Sequence, residues 1–435
     1  METEVLIIGA GLAGLSAGYH LHQRDHVLVE AENVVGGLCR SFVVDGFQFD
    51  CTGHLIHFRT QEGRRIIAGL IGDKLQEHQR KAAIFLEGRF TDYPFQANTY
   101  GLPAEIVKEC LMGFLRTLIQ KKKKKRVSNF LDWIHETFGE GIAKYFMVPY
   151  NEKVWQHDLR DIALDWVNWS IPKPNLEDVI NGALGIKNRQ FGYNPVFYYP
   201  VKGGIHLLPK SFPVRGELTL ENPVVKVNLK KRKVTLRDGG TVHYKYLFST
   251  MPLHALVRIL EDAPSFVTAA AEKLRYVSVL NINLGVERER VIPYHWVYFP
   301  ERDKPYYRIG CPTNFSDSVA PRGTTSLFVE VSMRAGQGNI SNLVDLSISS
   351  LKEGGILRRD DKIATVYPIV LQYAYVIYDG ERRVTVNRIQ KYLNSRNVYS
   401  FGRYGSWIYS SMEDAVLQGK EFAEKVFLRE RATVS

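Results

Sequence analysis

The first forty residues limit this chain more than any other stretch. Val5-Leu6-Ile7-Ile8 is an apolar run fit for a buried parallel strand, and Gly9-Ala10-Gly11-Leu12-Ala13-Gly14 follows at once, opening a helical pattern through Leu15, Tyr19 and Leu21. A strand, a tight turn and a helix in that order match the glycine fingerprint of a dinucleotide site. Gly9 permits the turn, Gly11 lets a pyrophosphate approach the backbone, and Gly14 lets the helix pack closely on the strand, with the helix N-terminus facing the phosphates. His26-Val27-Leu28-Val29 then reads as a second strand ending at Glu30, 21 residues after Gly9. That is the spacing of a carboxylate that accepts hydrogen bonds from an adenosine ribose. The glycines alone are a weak signal; the strand before them and the carboxylate after them make it specific.

Gly36-Gly37-Leu38-Cys39-Arg40-Ser41 selects among dinucleotides. A second glycine turn just past the acidic residue resembles FAD proteins of the amine oxidase and desaturase type, and an NAD enzyme has no reason to carry it. The expected fold class is therefore α/β: a discontinuous, Rossmann-like FAD-binding domain with an inserted helical domain and a mixed β-sheet substrate domain. The divisions read from the pattern are 1–100 for the first part of the FAD-binding domain, 101–192 for the helical insert, 193–255 for the second FAD-binding part, 256–390 for the substrate sheet, and 391–435 for the C-terminal FAD-binding part.

With 435 residues, 45% of them hydrophobic, the chain can bury a large core in two or three units. No apolar run reaches the 18 residues of a membrane span, and the first strand starts too early for a secretory signal, so a cytoplasmic location is expected. Cys39, Cys51, Cys110 and Cys311 lack metal spacing and read as free thiols; no metal site is expected. The net charge of +11 includes a basic run from Lys121 to Arg126. One such run after an amphipathic helix reads as a solvated segment rather than a nucleic-acid patch, with weak peripheral contact to anionic lipid left open. Diffuse positive charge also draws in a small anionic substrate.

Further along, Phe47-Gln48-Phe49-Asp50 reads as a strand leading to Gly53 and His54, close to the dinucleotide turn. Ala83 to Leu86 and Arg89 to Thr91 read as a hairpin around Glu87-Gly88. From about residue 103 the apolar spacing turns helical, with Phe130, Trp133, Ile134 and Phe138 on one face and Ala143, Phe146 and Met147 on the next helix. Strands resume at Val196. Two of them flank the Asp238-Gly239-Gly240 turn, and others are expected at Val277 to Leu284, Trp296 to Phe299, Tyr306 to Gly310 and Ser326 to Val331. Gly402-Arg403-Tyr404-Gly405 reads as a glycine-rich strand entering a final helix from about Ser411, whose positive end points at the flavin.

Seven blocks in order (GGLCRS with GFQFDCTGHLIHF, YPFQAN, FMVPYNEKVW, NPVFYYPVKGG, WVYFPERDKPYYR and GRYGSW) resemble the UDP-galactopyranose mutase family, its eukaryotic branch more than its bacterial one, nearly end to end. The resemblance implies an isomerase: an intramolecular transferase that interconverts pyranose and furanose forms of a nucleotide sugar, with reduced flavin N5 attacking the anomeric carbon and NADPH or NADH as reductant. It implies roles by position. Gly53 and His54 match a segment beside the flavin. Tyr93, Phe95 and Gln96 match a uridine-binding segment. Asn151, Trp155 and Asn194 match nucleotide and sugar contacts, and Tyr298 lies beside the flavin pocket. Arg308, Tyr375 and Tyr409 match a diphosphate clamp, where a guanidinium gives charge-assisted bonds and phenols add neutral donors. Arg403 and Glu413 are placed at the cofactor, with His54, Tyr298 and Arg308 as the catalytic set.

Three positions depart from that pattern. Ser170 stands where a second diphosphate arginine is expected, a loss of about 2–4 kcal/mol of leaving-group stabilisation unless Lys173 or Arg160 compensates. Thr52 replaces a glycine before Gly53, and Val376 replaces a proline after Tyr375. Two other readings stay open at this point: an FAD-dependent oxidoreductase of the protoporphyrinogen oxidase, amine oxidase or desaturase type, and a non-catalytic binding homologue. A pocket for an anionic nucleotide, built on Arg308 and the tyrosines, separates the first reading from the oxidoreductases, whose substrates are apolar or amines. Sugar identity and oligomeric state are not legible.

Overall fold

Val5, Leu6 and Ile7 are wholly buried, as a strand covered on both faces requires. A computed structural model of the chain describes residues 1–22, 24–119, 127–167, 171–186 and 195–434. The strand Glu2–Ile8 lies between His26–Val29 and Thr241–Ser249, parallel to both, with Ile8 level with Val29 and Ser249. Val398–Ser400 joins in parallel, Ser400 level with Ser249. Glu217–Thr219 closes one side of this seven-stranded sheet, and Lys233–Leu236 with Val224–Asn228 closes the other. With Thr219 level with Val29, five parallel strands thus end together, and the crevice beyond such ends is where an open α/β sheet binds its ligand.

A second seven-stranded sheet runs in the order Ile363–Val376, Tyr276–Val286, Thr325–Arg334, Arg308–Gly310, Trp296–Tyr298, Ala82–Leu86, Arg89–Asp92. The sheet is mixed, as the sequence predicts: all its pairs are antiparallel except Trp296–Tyr298 with Ala82–Leu86. The Ala82–Asp92 hairpin belongs to this sheet rather than to the nucleotide sheet that precedes it in sequence, because Trp296 pairs with Ala82 across more than two hundred residues of chain.

Between them the chain is helical: Ala104–Ile119, Phe130–Ile142, Val148–Trp155 and Leu176–Leu184. The first two cross at backbone distance. A Cβ on Gly139, whose φ is +76°, would lie 2.2 Å from the carbonyl oxygen of Gly113, so only glycine admits the crossing. Ala143–Met147, expected to start a new helix, is a π-helical turn linking two helices. Gly402–Gly405 is a helical turn rather than a strand, and the final helix is Met412–Val434. The strand Ile363–Val376 and the helices Ile340–Glu353 and Arg382–Asn394 have no counterpart in the sequence reading. All four cysteines are buried free thiols. Among the described residues no helix is long and apolar enough to cross a membrane. The basic run, Trp169, Ser170 and Asn194 lie outside the described residues.

Candidate active site

One cavity of about 790 Å³ starts at the ends of the parallel strands and continues between the second sheet and the helical segment. Its nucleotide end is built from Gly9, Gly11, Glu30, Gly36 and Gly37, with Thr250 from the neighbouring strand. Gly36 donates to the Ala10 carbonyl at 2.8 Å, which brings the two glycine turns together. A Cβ at Gly9, where φ is +98°, would sit 2.5 Å from Thr250 Oγ1. Gly14 is off the wall and does what its position predicts: a Cβ there would lie 1.9 Å from the Gly9 oxygen, so its lack of a side chain lets the helix Leu12–His20 rest on the turn.

These residues fit FAD. Glu30 is buried, and one carboxylate oxygen accepts from Ala10 N at 2.6 Å, the other from Glu32 N at 3.0 Å. Each oxygen keeps a lone pair for a ribose hydroxyl. No side chain caps the helix Leu12–His20, so its first N–H groups are left for an anion, as a pyrophosphate requires. Met412 and Ala415, at the start of the C-terminal helix, line the same cavity and bring a second positive helix end to it.

Glu413, placed at the cofactor by its sequence position, is turned away from the cavity. It accepts from the amides of Arg59 and Thr60 at 2.9 Å each and from Thr60 Oγ1 at 2.7 Å, and so holds the start of the helix Gln61–Ile71. Thr60 in turn caps that helix by accepting from Gly63 N at 2.9 Å.

Past the nucleotide end the wall becomes aromatic. Phe95 is fully buried and stacks on Phe146 with centroids 5.1 Å apart; Phe146 stacks on Tyr150 at 5.1 Å. Tyr150 meets Tyr298 edge-on at 5.5 Å, and Tyr298 lies 5.2 Å from Tyr93, over which Arg80 sits at 4.7 Å. Tyr93, Tyr298 and Gln96 therefore line the cavity while Phe95 backs them from the core. Gln96 donates to the Pro172 carbonyl at 2.8 Å, and its side-chain oxygen is buried without a partner among the described residues. Asn151 and Trp155 are also on the wall, but the Asn151 amide turns inward: it donates to Met147 O at 2.7 Å and accepts from the Trp155 indole at 3.2 Å.

At the centre stands Arg308. It lies directly across from Glu330 on adjacent antiparallel strands, and Nε and Nη2 both donate to that carboxylate, Nη2 to Oε1 at 2.8 Å. Burial opposes both charges, yet the attraction between them prevails: Glu330 is held below the ordinary carboxylate range and Arg308 is held firmly protonated. Because Nε and Nη2 face Glu330, the outer edge, with Nη1 and the second Nη2 hydrogen, is left to accept a ligand in two-point contact. Tyr307 and Tyr375 hydroxyls lie 3.2 Å apart beside it, and burial pushes the Tyr375 phenol up to about 12, so it remains a neutral donor. Tyr409 stacks 6.1 Å from Tyr375 at the more exposed rim.

Arg403 lines the cavity with Nη1 on Ser410 O and Nη2 on Ala374 O, each at 2.8 Å, and with the Tyr409 ring 4.5 Å away. It has no carboxylate within ion-pair distance among the described residues. His54 is on the wall beside Gly53, and burial together with Arg403 pushes its imidazole down to about 4. Neither suggested replacement for an arginine at 170 reaches the wall. Arg160 is exposed and pairs with Asp158 at 3.5 Å, and Lys173 lies 5.3 Å over the Trp133 ring.

The sequence reading missed Glu330, Tyr307, Tyr150 and Arg80 as parts of this site. Glu330 had a signal, a carboxylate inside the apolar run Ser326-Leu327-Phe328-Val329-Glu330-Val331, because a buried charge in a central strand needs a partner. The others look like ordinary sheet residues until the fold collects them.

This fold and site define a class. The flavin-containing amine oxidoreductase family matches residues 12–347, and the chain belongs to that family. Among solved structures, a reduced UDP-galactopyranose mutase is similar over 98% of this chain and 94% of its own, at 28% identity and a TM-score of 0.92. A protoporphyrinogen oxidase homologue from Exiguobacterium sp. 255-15 shares the fold at 17% identity and a TM-score of 0.76, covering 98% of this chain and 99% of its own. A fatty acid isomerase from P. acnes that produces CLA does so at 13% and 0.67, with the same coverage.

Proposed function

We propose that the protein is a flavin-dependent nucleotide-sugar mutase that interconverts pyranose and furanose forms of a UDP-galactose-like substrate. The observation that carries this reading is the half-buried Arg308 with an open outer edge, flanked by phenols, on the same cavity as the dinucleotide turn. Neither an amine nor an apolar substrate offers an acceptor to the outer N–H groups that the Glu330 pair leaves open, so the oxidoreductase alternative fits the cavity poorly. The 28% identity to a reduced mutase over nearly the whole chain supports the same choice.

Bound and reduced, FAD supplies an electron-rich ring nitrogen as nucleophile toward the anomeric carbon. The chain's own residues do the rest. Arg308 takes the diphosphate as it gains charge on leaving, with Tyr375 and Tyr409 as hydroxyl donors and Arg403 adding positive potential on the same wall. Tyr93 offers a ring face to uracil, and the unpartnered Gln96 oxygen accepts from the base N–H. His54, neutral at working pH, gives the cofactor wall one donor and one acceptor without adding charge. The aromatic wall from Phe146 to Tyr93 keeps water from the reacting sugar. NADPH or NADH is the proposed reductant, and a cytoplasmic location is part of the same reading.

The test is turnover of UDP-galactopyranose and its furanose isomer by dithionite-reduced protein, followed by chromatography. Conversion only in the reduced state, without net use of reductant, is expected; steady NADPH or oxygen consumption coupled to substrate oxidation overturns the proposal. Arg308→Ala should lower turnover by at least about a hundredfold while FAD stays bound. Loss of flavin instead would show that Arg308 serves the cofactor.

A further inference from the structure

Thr52 precedes Gly53 and His54, and its hydroxyl donates to Glu330 Oε1, the same oxygen that accepts from Arg308 Nη2. The dipeptide Thr52-Gly53 is seated on one strand. Phe328 and Glu330 are two residues apart on Thr325–Arg334 and so share a face; a Cβ at Gly53 would lie 2.6 Å from the Phe328 ring, while Thr52 takes Glu330. His54 N donates back to Thr52 O at 2.7 Å, which closes the segment into a tight turn. Glu330 is 1% exposed, so no water replaces a lost donor at Oε1 without opening the strand pair.

We infer that Thr52 is a positioning residue for the diphosphate cation. By donating to the same Glu330 oxygen as Arg308, its hydroxyl fixes the carboxylate rotamer in which Arg308 presents Nη1 and Nη2 to the cavity, and it ties that guanidinium to the Gly53-His54 wall at the cofactor. The inference rests on the nucleotide-sugar reading, since it assumes that the outer edge of Arg308 meets a diphosphate.

Titrating FAD-loaded protein with UDP in a calorimeter tests it without turnover, with FAD content and the flavin absorbance change on UDP addition as parallel readouts. Thr52→Val should weaken UDP binding by roughly five- to fiftyfold with FAD content unchanged, and Thr52→Ser should bind within about twofold of the parent. Should Thr52→Val lose flavin or fail to fold, Thr52→Ala replaces it in the same comparison. If the variants without a hydroxyl bind UDP as the parent does while Arg308→Ala loses binding, the positioning role is overturned and the mutase reading stands. If the parent itself does not bind UDP, the reading beneath the inference fails and the inference with it.

Discussion

Asp50 ends the strand that leads into Thr52, Gly53 and His54, and burial pushes its carboxyl up to about 6 even though Ser41 Oγ, Tyr199 OH and the Ile205 amide donate to it. A carboxyl raised on folding contributes stability that is full below its unfolded pKa and is lost as pH rises through the folded value. The Asp50 contribution should therefore be lost between about pH 4 and pH 6.5, so the urea midpoint of Asp50→Asn should gain on that of the native protein as pH rises through this range. Parallel curves for the two proteins would show that Asp50 does not report on this pH range. Single residues were legible where their constraint is local. Gly9, Gly11, Gly14 and Glu30 act on a turn and its two flanking strands, so their spacing carries the meaning. Glu330 was not legible as a site residue, because its partners are 22 and 278 positions away.

At the scale of elements, Glu413 shows what a family position can hide. A carboxylate in the first turn of the last helix fits a cofactor contact by its place in sequence, but packing turns it onto the N-terminus of Gln61–Ile71, where three donors converge. Glu413→Gln keeps the shape and loses the charge-assisted bonds, so it should lower unfolding free energy by about 1–3 kcal/mol in urea while the flavin stoichiometry stays at that of the parent. Flavin loss at unchanged stability would return Glu413 to the cofactor. Elements were legible where the apolar period was strong or a glycine marked the turn, as at Phe47–Asp50 and Arg89–Asp92. Arg382–Asn394 escaped because its arginines dilute the pattern, and Ile363–Val376 because it is an edge strand far less buried than its neighbour. The Gly402–Gly405 turn, expected as a glycine-rich strand, is helical and packs against Ala13, where a Cβ on Gly402 would come within 2.9 Å.

At the scale of the molecule, the cavity joins the ends of one sheet to the face of another and to a helical wall, so a ligand that fills it ties the three together. UDP at about 100 times its dissociation constant should add about 2.7 kcal/mol to the FAD-loaded protein, seen as a rise of a few degrees in Tm that Arg308→Ala abolishes. A rise of equal size in Arg308→Ala would place the nucleotide elsewhere. The amino-acid sequence by itself determined the dinucleotide end, because a strand, a glycine turn and a carboxylate within thirty residues are held by short-range sterics and hydrogen bonds. It also determined the presence of two sheets and a helical stretch, because apolar period follows burial. Only the tertiary structure decided which residues meet at the centre. Glu330 faces Arg308 through strand register, Thr52 reaches Glu330 because Gly53 lets its segment lie on Phe328, and Glu413 leaves the site because a helix start elsewhere needs its oxygens. Those pairings depend on how distant segments pack, and spacing along one chain does not encode distance between two of its parts.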